Sequence, residues 1–75
     1  MKLSKLRTGQ SCVITKISGE DALRMRLLDM GLTPKTLVYL RHTAPMGDPM
    51  ELRLRGYSLS LRRSDAELVE VEAVE

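Results

Sequence analysis

The sequence predicts a mainly β domain: about five short antiparallel strands rolled into a small barrel, with one helix inserted after the first strand. Three observations predict it. Short apolar runs with strand character recur along the chain, each bounded by Gly, Pro, Asp or Ser. A single segment, between residues 18 and 32, switches to helical periodicity. Finally, 75 residues with no Trp, no Phe and two Tyr allow only one small core, built from Leu, Val, Ile and Met. Residues 1–75 therefore read as a single domain without repeats, linkers or low-complexity segments.

The elements follow in order. SCVITKI, residues 11–17, is rich in β-branched side chains and predicts the first strand. Strict alternation sets Val13, Thr15 and Ile17 on one face and Cys12 and Ile14 on the other. In SGEDALRMRLLDMGL, Ser18 is the expected N-cap, and Asp21 completes a capping-box-like pair three residues on. Gly31 suits the left-handed residue after the last turn, with Leu32 folding back on Leu27 in a Schellman stop. On this helix Leu23, Leu27 and Met30 form the core stripe, and Met25 and Leu28 project from nearly the opposite side.

Thr33-Pro34-Lys35-Thr36 predicts a turn, and LVYLRHT, residues 37–43, the second strand. The stretch HTAPMGDPM, residues 42–50, predicts a rigid hairpin loop: Pro45 and Pro49 stiffen it, Gly47 permits an unusual φ, and Asp48 is set to bond nearby backbone N–H groups as in an Asx-turn. In MELRLRGYSLSLRR an Arg55-Gly56 turn places Leu54 opposite Tyr57, so that Leu52, Leu54, Tyr57, Leu59 and Leu61 share the core face. RSDAE predicts a short helical turn, and LVEVEAV a last strand with its acidic residues alternating outward. Five strands and one helix in this order predict an SH3-like barrel, with an OB-like barrel as the structural alternative.

The composition narrows the function. Cys12 alone makes neither an internal disulfide nor a zinc site, and reads as a small buried hydrophobe. No apolar run serves as a signal peptide or approaches the roughly 20 residues of a membrane span, so a cytoplasmic location is expected. Residues 1–41 carry eight Lys/Arg against three Asp/Glu (+5), and residues 42–75 four against seven (−3). The basic half has no dense cluster, and a mixed solvated surface is the default reading.

No motif places a general base beside a serine or the cysteine, and no glycine-rich phosphate loop is present, so an enzyme is not expected. His42, Met46, Asp48 and Met50 mix borderline, soft and hard ligands that no common site wants together, so neither metal nor other cofactor is expected. Nucleic acid is the competing partner class, favoured by a pI of about 9.0 but opposed by two tyrosines and an acidic last strand. Protein contact ranks above it, because Met25 and Leu28 lie off the core stripe of a short helix. Their competing reading is extra packing against Leu3 and Leu6.

As a pattern, RLLDMGLTP followed by APMGDPMELRLRGYSLSLRRSDAELVEV resembles the FeoA family, the small ferrous iron transport protein A. The likeness runs from about Leu3 to Val71. One departure is Lys35, where the family commonly has Gly after the proline of the GLTP turn. The resemblance implies an SH3-like barrel with a helical insertion. It also implies a cytosolic accessory protein that binds the cytosolic GTP-binding region of a membrane ferrous iron permease and regulates its activity or assembly. It brings no iron-binding motif. The expected contact surface comprises Met25 and Leu28 of the helix, Lys35 of the turn, and Met46, Asp48 and Met50 of the 42–50 loop.

Overall fold

The computed structural model describes residues 1–74. After a 3-10 turn at Leu3–Lys5 come β1 (Ser11–Ile17), α1 (Asp21–Asp29), β2 (Leu37–Thr43), β3 (Met50–Leu54), β4 (Tyr57–Leu61), α2 (Arg63–Ala66) and β5 (Val69–Val74). The strands form one five-stranded sheet in the order β4-β3-β2-β1-β5, every pair antiparallel. All five contribute to a single aliphatic core with Leu3, Leu6, Leu27 and Leu32.

Five antiparallel strands with a helix after the first are as the sequence predicts; the sheet itself is not closed, and β4 and β5 are its two edges. Part of the outer edge of β5 is already paired. The Met1 ammonium donates to the Val71 carbonyl at 3.0 Å, the Val71 N–H donates to the Met1 carbonyl at 2.7 Å, and Lys2 bridges Glu70. The start of the chain thus satisfies backbone groups that closure onto β4 would otherwise have to satisfy.

In β1 the pairing with β5 shifts register between Ile14 and Lys16, leaving Thr15 opposite no partner. This bulge flips the alternation, so Ile17 is buried beside Cys12 and Ile14 instead of facing away from them. The helix also starts later than the capping pattern predicts. Ser18 lies just past the end of β1, its N–H donating to the Leu68 carbonyl at 2.7 Å. Gly19 then turns the chain at φ +104°, and Glu20 occupies the N-cap without a side-chain bond.

The C-terminal stop is as the sequence predicts. Gly31 takes φ +101° and its N–H bonds the Leu28 carbonyl at 3.0 Å, while the Leu32 N–H reaches the Leu27 carbonyl at 3.2 Å. Leu27 and Leu32 are both fully buried and complete the motif's apolar contact. Leu23 and Met30 are only half-buried.

In the β3–β4 hairpin Leu54 pairs with Tyr57, as expected. Arg55 at φ +50° and Gly56 at φ +83° make the two-residue turn whose twist suits a hairpin. Leu52, Leu54 and Leu61 are buried, but Leu59 is only half-buried and Tyr57 is 42% exposed. Both belong to an edge strand with no neighbour beyond it. The Tyr57 hydroxyl finds its acceptor in the Met30 carbonyl at 2.6 Å, at the exposed end of α1.

Candidate functional site

The 42–50 loop is held by its own backbone and by Arg63. The Ala44 N–H donates to the Pro49 carbonyl at 3.0 Å, and the Gly47 N–H to the Ala44 carbonyl at 2.7 Å. Gly47 takes φ +84°, and the Asp48–Pro49 peptide is cis. Asp48 does not close an Asx-turn on its own loop. Its Oδ1 accepts the Arg63 N–H at 3.0 Å, the first turn of α2, where a carboxylate satisfies an otherwise unpaired donor. The Arg63 Nε returns a bond to the Gly47 carbonyl at 2.8 Å, and a terminal guanidinium nitrogen donates to the Ser4 carbonyl. The Ser4 hydroxyl in turn donates to the Glu67 carboxylate. One half-buried arginine therefore joins the loop, the 3-10 turn and α2.

This geometry sorts the expected contact residues. Met46 stands at the loop tip, 93% exposed, and remains available to a partner. Met50 does not: it is fully buried in the core beside Leu61, its partner across the β3–β4 pair, and leaves the contact set. Sequence reasoning misplaced it because the strand starts at Met50 itself, which turns its side chain inward. Asp48 is exposed at the loop but engaged by Arg63. On α1, Met25 is 52% exposed, whereas Leu28 is half-buried and packed against the core. The two do not form one free face. The helix is short and lies close to β1, so Leu28, although about 100° round the helix from Leu27, still packs against the core.

The other chemical groups are dispersed. The His42 Nε2 lies 3.7 Å from the Glu51 carboxylate, and among the described residues no group of three or more His, Cys, Asp or Glu is assembled that would hold a metal ion. Cys12 is wholly buried, and burial pushes its thiol up from 9.0 to about 11. The neutral form that packs in the core is therefore intact below pH 9.0 and lost only as the pH rises through about 11. Among the described residues no helix is long and apolar enough to cross a membrane.

Lys35 belongs to a different feature. Its N–H donates to the Ile14 carbonyl at 2.7 Å, which pins the turn to β1 and holds Lys35 at φ +72°. Beside it runs an open groove of about 410 Å³, bounded by Lys35, Leu37, Tyr39, Arg53 and Arg55. Leu37 is 57% and Tyr39 39% exposed, while Val38 and Leu40 between and beyond them are buried. Sequence reasoning did not single out Leu37, Tyr39 or Arg53. The signal was present in the alternation of LVYL, which necessarily sends one apolar pair outward.

An open antiparallel sheet of this order, with a helix after its first strand and a short helical turn before its last, defines a small domain of the SH3-like class. Residues 1–73 match the FeoA domain, and the chain belongs to the FeoA family. It is 39% identical over 74 residues to a Porphyromonas gingivalis protein described as an Fe(2+) transport protein A/Fe(2+) transporter FeoB fusion, spanning 99% of this chain but 9% of the fusion. The solution structure of a FeoA-like protein from Clostridium acetobutylicum superposes with a TM-score of 0.93 at 40% identity, covering 100% of this chain and 87% of that one. The FeoA of Stenotrophomonas maltophilia, crystallised with zinc and described as an SH3 domain protein, gives a TM-score of 0.82 at 28% identity over 96% of this chain and 89% of that one.

Proposed function

We propose that this domain is an accessory protein of ferrous iron uptake, which binds the cytosolic GTP-binding region of a FeoB-type permease and adjusts its activity or assembly. The observation that carries this reading is the fusion: a relative with 39% identity is described as one chain with an Fe(2+) transporter FeoB. Covalent joining holds two partners at high effective concentration, which has a use only when they act together. The architecture supports a binding role. Its loops and turns are braced by backbone and arginine contacts, and it displays isolated apolar side chains at Met25 and Met46 and, on a separate turn, the exposed Lys35. It works in the cytoplasm, on the side where that region of the permease lies.

The test is direct binding of the full chain to the purified cytosolic region of its permease, with and without GTP. Saturable binding that alters the rate of GTP hydrolysis or the assembly state of that region is the expected result. Absence of any saturable binding in either nucleotide state overturns the reading. The same titration with Met46→Asp and with Met25→Asp asks which displayed methionine is in the contact, since a carboxylate buried in an interface weakens it strongly.

A further inference from the structure

The groove beside Lys35 carries an inference of its own. It lies between the 33–36 turn and the β3–β4 turn, and its walls present three cations, Lys35, Arg53 and Arg55, with no acidic side chain among the described residues that line it. Among the described residues none of the three lies within ion-pair distance of a carboxylate, although other basic side chains, Lys2, Arg24 and Arg26, do. Its apolar wall is the outward pair of β2, Leu37 and Tyr39. Positive charge without local compensation, beside exposed apolar surface, is complementary to a ligand that carries both carboxylates and an apolar side chain.

The backbone adds an independent observation. Among the described residues only two non-glycine residues take positive φ, Lys35 at +72° and Arg55 at +50°, and both line this groove. Each is a cation held where glycine or asparagine is the easier choice. For Arg55 part of the reason is internal: its guanidinium bonds the Thr33 and Thr36 hydroxyls at 2.9 and 3.0 Å and locks one turn to the other. Among the described residues Lys35 makes no such side-chain bond. Its charge is carried at a local cost and points to a ligand outside the fold.

We propose that this groove takes an extended acidic protein segment bearing an aliphatic or aromatic anchor, with Leu37 and Tyr39 receiving the anchor and Lys35 and Arg53 its carboxylates. Supply of that segment by the permease's cytosolic region rests on the function proposed above. A single aromatic ring beside a leucine favours a peptide over a nucleic-acid strand, which needs successive rings to stack on.

Two probes separate the inference from the reading it rests on. The first is a blocked peptide of alternating Glu and Leu, with its Gln-for-Glu counterpart, titrated into the isotope-labelled full chain. The second is the purified cytosolic region of the permease, titrated against wild type, Arg53→Glu, Leu37→Ser and the off-groove control Arg7→Glu, each with its thermal midpoint checked. Expected are shifts of the Lys35, Leu37, Tyr39 and Arg53 amides with the Glu peptide alone, weakening with salt. Affinity for the permease region should fall by about tenfold or more in Arg53→Glu and Leu37→Ser and change by less than about twofold in Arg7→Glu. Peptide shifts in the groove without binding of the permease region would support the groove and overturn the permease reading. Undiminished binding of that region by both folded groove variants would overturn the groove and leave the permease reading standing. Shifts produced equally by the Gln peptide, displacement by a single-stranded oligonucleotide only, or self-association abolished by Arg53→Glu would each overturn the inference.

Discussion

Lys35 illustrates what a single residue can cost. The turn it occupies is pinned on both sides, by the Lys35 N–H to Ile14 and by the Thr36 N–H to Thr33 at 3.2 Å. Both bonds require the chain to pass through positive φ at position 35, where an L side chain crowds its own backbone by about 1–2 kcal/mol. Glycine removes the crowding but makes the unfolded chain freer by about 0.4–1 kcal/mol. Lys35→Gly is therefore expected to stabilise the domain by about 0.5–1 kcal/mol, raising the thermal midpoint by about 2–8 °C. An unchanged or lowered midpoint would show that the lysine is comfortable there. The resemblance had marked this position as a departure from the family's common Gly. The torsion gives that preference its physical reason.

At the scale of the element, α1 is a short helix held by its end more than by its face. Of its nine residues only Leu27 is fully buried, and the Schellman stop delivers Leu32 to the core immediately afterwards. Met25 and Leu28 look alike as sequence, two apolar residues off the stripe. The structure separates them, Met25 half in solvent and Leu28 against the core. Met25→Asp should leave stability within about 0.5 kcal/mol of wild type, whereas Leu28→Asp, which puts a carboxylate against apolar neighbours, should cost about 2–3 kcal/mol. Urea denaturation of both variants checks this, and equal midpoints would mean that the helix turns the same face to solvent at both positions. The β1 bulge is the second lesson at this scale. One unpaired residue, Thr15, reverses the facing of everything after it, and Ile17 becomes core.

For the whole molecule, Arg63 is the junction. It bonds Gly47 of the 42–50 loop and Ser4 of the 3-10 turn while its own N–H is held by Asp48, so three segments distant in sequence share one side chain. Arg63→Ala leaves two half-buried carbonyls without their charged donor, at a cost of about 1.5–3 kcal/mol. Amide exchange at residues 3–6 and 44–49 should accelerate together, and Arg63→Lys should not rescue it, because an ammonium lacks the planar fork that reaches both carbonyls. Faster exchange in only one of the two segments would show that they are not coupled through this residue. In sequence Arg63 is one of four arginines in the acidic half, and nothing in its neighbourhood distinguishes it.

By itself the sequence determined the class of fold, the β3–β4 hairpin register, the Schellman stop and the family, because all of these rest on local chemistry or on a long run of matched residues. Period-two alternation, glycine at a left-handed position and an apolar contact five residues apart are legible without knowing what lies opposite. The tertiary structure decided the rest: an open sheet with its β5 edge paired by Met1 and Lys2, Met50 and Leu28 drawn to the core, Asp48 turned to Arg63, and cations gathered beside Leu37 and Tyr39. Each of these depends on which residues distant in sequence come to face one another. A bulge of one residue, or an edge satisfied by the chain's own first residues, is enough to change that without leaving a mark in the local pattern.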